Sequence, residues 1–154
     1  MKRRVILLAL AALFASATVC LAQDPNMGTW KLNEAKSKYA PGATKNHTVI
    51  YEAVGDSVKV IVDGVDAAGT AIHHEWTGKF DNKFYPVTGD STSDMRSYRK
   101  INKHTLALTG KKDGKVTVTG RVAVTANGRT RTVTTTVTNS EGKKVTNRAV
   151  YDKQ

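Results

Sequence analysis

The sequence predicts an all-β domain: an antiparallel up-and-down meander closed into a barrel of about eight to ten strands. Three observations lead there. β-branched and polar residues alternate along most of the chain, the period-two pattern of half-buried strands. Turn-forming pairs containing Gly interrupt that alternation at short intervals, as tight hairpins require. Past the first 22 residues, no stretch carries the spacing of an amphipathic helix. A long meander has two unpaired edges, and closure into a barrel removes both. A β-sandwich is the competing architecture, but hairpins following one another in sequence favour the meander over Greek-key crossings.

The first segment stands apart from this pattern. Lys2, Arg3 and Arg4 precede an almost unbroken apolar run from Val5 to Ala17, and Cys20-Leu21-Ala22 places small residues at the cleavage positions. The run is shorter than the roughly 20 residues that span a bilayer. The expectation is a signal peptide over residues 1–22, a single domain over 23–154, and a periplasmic or secreted address. Cys20 is the only cysteine, and Val19 before it argues against a lipidation site. The processed chain would then carry neither disulfide nor thiol nucleophile, so its core must hold it together unaided.

The strands follow in order. The turn signals bound them at about 28–33, 46–54, 57–64, 70–80, 83–88, 94–101, 104–111, 115–126, 129–138 and 144–152. Gly55-Asp56, Asp113-Gly114 and Asn127-Gly128 supply the residues that tolerate positive φ in hairpins. In the segment 115–125, parity puts Val116, Val118, Val122 and Val124 inward. Thr130, Thr132, Thr134, Thr136 and Thr138 form one outward row, as threonine suits the solvent face of a strand. The polar connector Glu34 to Lys45, containing Pro41-Gly42, breaks the rhythm and reads as a loop, a short helix or a lid over one end.

Charge is unevenly distributed. Residues 23–94 hold 7 lysines against 10 acids, whereas residues 95–154 hold 14 Lys and Arg against 3 acids. A basic half points to an anionic partner or to solvation alone. Export removes most nucleic acid, and aromatics for base stacking are sparse near the basic residues, so anionic lipid or another envelope surface is the better candidate. Lys111, Lys112, Lys115, Arg129, Lys143 and Lys144 fall near turns and would form a basic rim if those turns share one end.

The two ends of the chain carry a resemblance. Gly28-Thr29-Trp30-Lys31-Leu32 opens the first strand, and Arg148-Ala149-Val150-Tyr151-Asp152-Lys153 closes the last. These residues resemble the calycin superfamily of lipocalins and fatty-acid-binding proteins. There a Gly-x-Trp motif begins strand one with the Trp plugging the closed end, and the final strand carries Arg-x-Tyr and an acidic-Lys tail. The resemblance implies a lipocalin-like barrel with Gly28 and Trp30 as its structural motif, and a cavity for a small apolar or amphipathic molecule. It also implies a basic side chain over Trp30, a place Arg148 could fill. The spacing here is Arg-x-x-Tyr, which on a regular strand turns Arg148 and Tyr151 to opposite faces.

His73-His74-Glu75-Trp76 is the densest cluster of functional residue types. On a strand, Ile72, His74, Trp76, Gly78 and Phe80 share the inner face, and His73 points away. Adjacent histidines therefore cannot chelate one metal, and a site would need His47 or His104 from elsewhere. No metal and no cofactor is expected. In Met95 to Ile101 either parity turns a cation inward: Arg99 on one, Arg96 and Lys100 on the other. A buried cation needs a partner or an anionic ligand, which is the physical case for a carboxylate-bearing ligand. No thiol, Gly-x-Ser-x-Gly elbow or converging acid–base pair suggests an enzyme.

The expectation is an exported, monomeric, lipocalin-like binding protein for a small hydrophobic or amphipathic anion. His74, Trp76, Arg99, Arg148 and Tyr151 are its candidate ligand-binding residues. The alternative is a cavity-less interaction module that uses its basic face against anionic envelope surfaces.

Overall fold

A computed structural model describes residues 24–139 and 141–154; the expected signal peptide lies outside the described residues. Ten strands follow in order: β1 (Gly28–Leu32), β2 (Lys45–Val54), β3 (Ser57–Val65), β4 (Ala71–Gly78), β5 (Tyr85–Thr88), β6 (Met95–Asn102), β7 (Thr105–Lys112), β8 (Lys115–Val124), β9 (Thr130–Thr138) and β10 (Lys144–Lys153). All neighbours are antiparallel, and β1 closes the barrel between β10 and β2. The up-and-down barrel is thus the observed fold, and it excludes the sandwich. This architecture is consistent with a calycin-like fold.

Closure follows from hydrogen bonding. An open meander would leave the backbone groups of its first and last strands unpaired. Here Trp30 pairs Lys153 on one side and Val49 on the other, so β1 has no free edge. Between β2 and β3 the register shifts around Asn46 and Thr48, opposite Gly64. A Cβ at position 64 would come within 2.1 Å of the Lys45 carbonyl oxygen, so only glycine allows the two backbones to approach there. The β7–β8 hairpin turns on Asp113 and Gly114, both at positive φ (50° and 76°), which matches the right-handed twist of the flanking strands.

Because the strands alternate in direction, the connections fall into two sets. Residues 55–56, 79–84, 103–104 and 125–129 lie at one end with segment 24–27; residues 33–44, 66–70, 89–94, 113–114 and 139–143 lie at the other. The first end is closed. Trp30 is fully buried, and its indole Nε1 donates to the Asn26 carbonyl at 3.0 Å. The Asp24 carboxylate accepts from the Asn26 backbone and side-chain amides (3.0 and 2.8 Å) and from Lys100 at 2.5 Å. The barrel half above this plug is packed solid by Trp76, Phe80, Tyr98, Tyr51 and Leu106, with aromatic pairs in edge contact (Trp76–Tyr98 centroids 4.8 Å).

The connector after β1 is a loop containing a 3-10 turn, Glu34–Lys36, capped by the Asn33 side chain. Lys38 and Arg148 exchange backbone hydrogen bonds of 2.7 Å, which tie it to β10. In β8 the expected parity fails at one residue. The register slips between Gly110 and Lys111, so Thr117 has no partner, and Val116 is 52% exposed instead of inward. A bulge inserts one residue and reverses the facing of those beyond it.

Candidate ligand-binding cavity

The barrel holds a cavity of about 770 Å³ that runs from the connector and turns at the open end down to Arg131 and Tyr51. Its volume falls within the range of small-molecule sites, about 300–1,000 Å³. Val49, Val60, Val62, Leu108, Val122 and Val133 supply an apolar wall. Polar groups interrupt it at two places.

The first place centres on Arg131. The outward threonine row of β9 leaves the opposite parity, Arg131-x-Val133-x-Thr135-x-Val137, facing inward, where all four line the cavity. Arg131 is only 3% exposed. One guanidinium nitrogen donates to the Tyr51 hydroxyl at 2.8 Å, and the guanidinium stacks over the Tyr51 ring (4.4 Å to the centroid). The rings of Tyr151 and Trp30 lie 5.7 and 5.8 Å from it. Its Nε and second Nη have no hydrogen-bond partner among the described residues, and no described carboxylate comes within salt-bridge distance (4.0 Å). Burial pushes the Tyr51 and Tyr151 phenols up, so neither supplies a phenolate at neutral pH. Arg131 is therefore a buried positive charge with no counter-ion, an arrangement that costs several kcal/mol when left unpaired.

The second place is built by β4 and the loop after β5. His74 is buried, lines the cavity, and has both ring nitrogens without a hydrogen-bond partner among the described residues. Its Nδ1 lies 3.8 Å from Asp90 Oδ2, an electrostatic contact too long for a hydrogen bond. The same oxygen accepts from Arg96 at 2.6 Å, and Asp90 Oδ1 accepts from the Thr92 amide and hydroxyl (2.8 and 2.7 Å). Burial opposes ionisation of Asp90, but the His74 ring, the Arg96 charge and the Thr92 donors outweigh it and hold the carboxyl well below its usual range. Ser93, also buried and cavity-lining, leaves its hydroxyl unpartnered.

The five candidate residues separate into three groups. His74 and Tyr151 line the cavity. Trp76 faces inward as expected, but it lies in the packed half, its indole donating to the Arg96 carbonyl at 3.0 Å and its ring against Tyr98 and Tyr85. Arg99 and Arg148 are exposed and do not reach the cavity. In β6 the inward parity is Arg96 and Tyr98, and Arg148 faces out to donate to the Lys36 carbonyl at 3.0 Å. The cations over Trp30 are Arg131 and Lys153 (5.8 and 5.1 Å), in place of Arg148. Gly28, at φ 108°, admits the Lys153 side chain, which a Cβ there would meet at 2.9 Å. Sequence reasoning passed over Arg131, Tyr51 and Asp90 and left Arg96 and Tyr98 as one of two parities in β6; the threonine row was the available signal for Arg131.

The turns at 113–114 and 139–143 do share the open end, which gathers Lys112, Lys115, Lys143 and Lys144 around the mouth. Arg129 belongs to the closed end. Lys143 is partly offset by Glu141 at 3.5 Å. Among the described residues, no His, Asp or Glu cluster has metal-site geometry.

No family model matches the chain, and no curated protein is similar to it in sequence.

Proposed function

We propose that the protein is a calycin-like carrier that holds a small amphipathic anion in its barrel, with the acidic group on Arg131 and Tyr51 and the hydrocarbon along the valine wall. The observation that carries this reading is the Arg131 guanidinium: buried, without a counter-ion, and beside a cavity large enough for a ligand. A carboxylate accepts two parallel N–H bonds from a guanidinium, and such charge-assisted bonds are roughly twice as strong as neutral ones. The apolar wall supplies affinity through buried area, and the arginine fixes orientation. The lysines at the mouth support the same reading, because their field draws anions toward the entrance. Export directed by residues 1–22 would suit a monomeric carrier that works in the cell envelope.

Titration with a fluorescent fatty acid, then with the neutral alcohol of the same chain length, tests the reading. The expected result is saturable one-to-one uptake of the acid and at least tenfold weaker binding of the alcohol. No uptake of either, or equal affinity for both, would overturn it.

A further inference from the structure

The interior has more polar capacity than one acid group can use. Arg131 lies toward the closed half, bonded to Tyr51 and with the Trp30 and Tyr151 ring centroids 5.8 and 5.7 Å away. His74 lies beside Asp90 of the loop 89–94 at the mouth, and Ser93 of the same loop packs against Gly110. Arg96 lies between: it is bonded to Asp90, and its positive charge acts on Tyr51. Asp90 and Arg96 satisfy each other. His74 and Ser93 do not share in that satisfaction, since both imidazole nitrogens and the Ser93 hydroxyl are buried without partners.

Buried polar atoms normally find partners, and each one left without costs about 1–3 kcal/mol. An imidazole nitrogen that bears a proton can give a hydrogen bond, and a serine hydroxyl can both give and accept one. That set fits an uncharged group able to give and accept a hydrogen bond. It does not suit a second carboxylate, because Asp90 is already ionised 3.8 Å from the ring and would repel it.

Resting on the carrier reading above, we infer that the ligand is bipolar: an amphipathic acid that carries a hydroxyl on the part of its chain remote from the acid group, held by His74. Sites built to hydrogen-bond a ligand hydroxyl reject the analogue that lacks it, because their own polar groups are then left unpaired. A simple fatty acid would fill the apolar wall and leave His74 stranded.

The test compares dodecanoate with hydroxydodecanoates that carry the hydroxyl at successive positions along the far half of the chain, by isothermal titration. At least one positional isomer is expected to bind ten-fold or more tighter than dodecanoate. His74→Leu should abolish that preference, and His74→Gln, which keeps a donor and an acceptor, should retain part of it. Dodecanoate binding with no isomer preferred would overturn the bipolar ligand and leave the carrier standing. A preference that survives in His74→Leu would also overturn it. Failure of every acid to bind would remove the carrier reading and this one together.

Discussion

Replacing Arg131 with methionine isolates the charge on which the carrier reading depends. The substitution keeps most of the side-chain volume but removes the guanidinium beside Tyr51. Two effects oppose each other in the unliganded protein. The variant loses a hydrogen bond from a charged donor, about 1.5–3 kcal/mol, and a stacked cation, up to about 2 kcal/mol when desolvated. It also escapes the burial of an unpaired ion, several kcal/mol in the other direction. Tyr51 keeps its contact with the Tyr98 hydroxyl at 3.4 Å. Unliganded stability should therefore change by less than about 2 kcal/mol, with either sign. Binding has no such offset. A ligand carboxylate buried against methionine lacks its partner, which costs about 3–5 kcal/mol, or roughly two to four orders of magnitude in Kd. Thermal unfolding with and without the fatty acid reads both quantities. At a ligand concentration of about 100 Kd the native protein gains about 2.7 kcal/mol, roughly 10 °C in Tm for a domain of this size. Arg131→Met should show almost none of that shift. A folded variant with an undiminished ligand-induced shift would refute the assignment of Arg131 as the anion site.

Asp90→Asn removes the carboxylate from Arg96 and leaves a largely buried guanidinium unpaired; chemical denaturation should show a loss of about 3–5 kcal/mol. The depressed pKa of Asp90 sets the sign of the acid response. Its contribution is present above the unfolded value near 3.8 and is lost only as pH falls through the lower folded value, so the pair should outlast ordinary carboxylates in acid unfolding. Trp30→Ala should cost about 3–5 kcal/mol by opening a cavity at the closed end, measurable in urea, while a hydrophobic isostere such as phenylalanine costs less. His73 accepts the opposite sign. The hydrogen bond to Asp63 at 2.7 Å raises its pKa, opposed by slight desolvation, so any stabilisation is full below the unfolded value of 6.5 and fades as pH rises through the folded one. An NMR titration should find the His73 midpoint above 6.5 and returned toward it in Asp63→Asn.

The resemblance at the chain ends had a limited reach. Gly28 and Trp30 take the places it implied at the closed end, whereas Arg148 does not, and its place over Trp30 is held by Arg131 and Lys153. One inserted residue between Arg148 and Tyr151 accounts for this. Period-two alternation turns Tyr151 in and Arg148 out, as the three-residue spacing predicted on its own.

Sequence alone determined the strands, their meander order and the facing of the regular ones, because these depend on local rules: period-two burial and turn residues that reverse the chain. The inward placement of His74 was legible on that basis, and so was that of Arg131, which alternates with the outward threonines. Only the tertiary structure decided the rest. Parity in β6 could not choose between Arg96 and Arg99, since each face held a cation, and pairing with β5 and β7 made the choice. The bulge at Thr117 turned Val116 outward through a slip against a neighbouring strand. The meeting of Arg131 with Tyr51, 80 positions apart, needs the barrel to close. Trp76 and His74 share one face of one strand, yet one is packed and the other borders a cavity. Alternation reports which side of a sheet a residue faces; how far the space on that side is filled depends on side chains brought from every other strand.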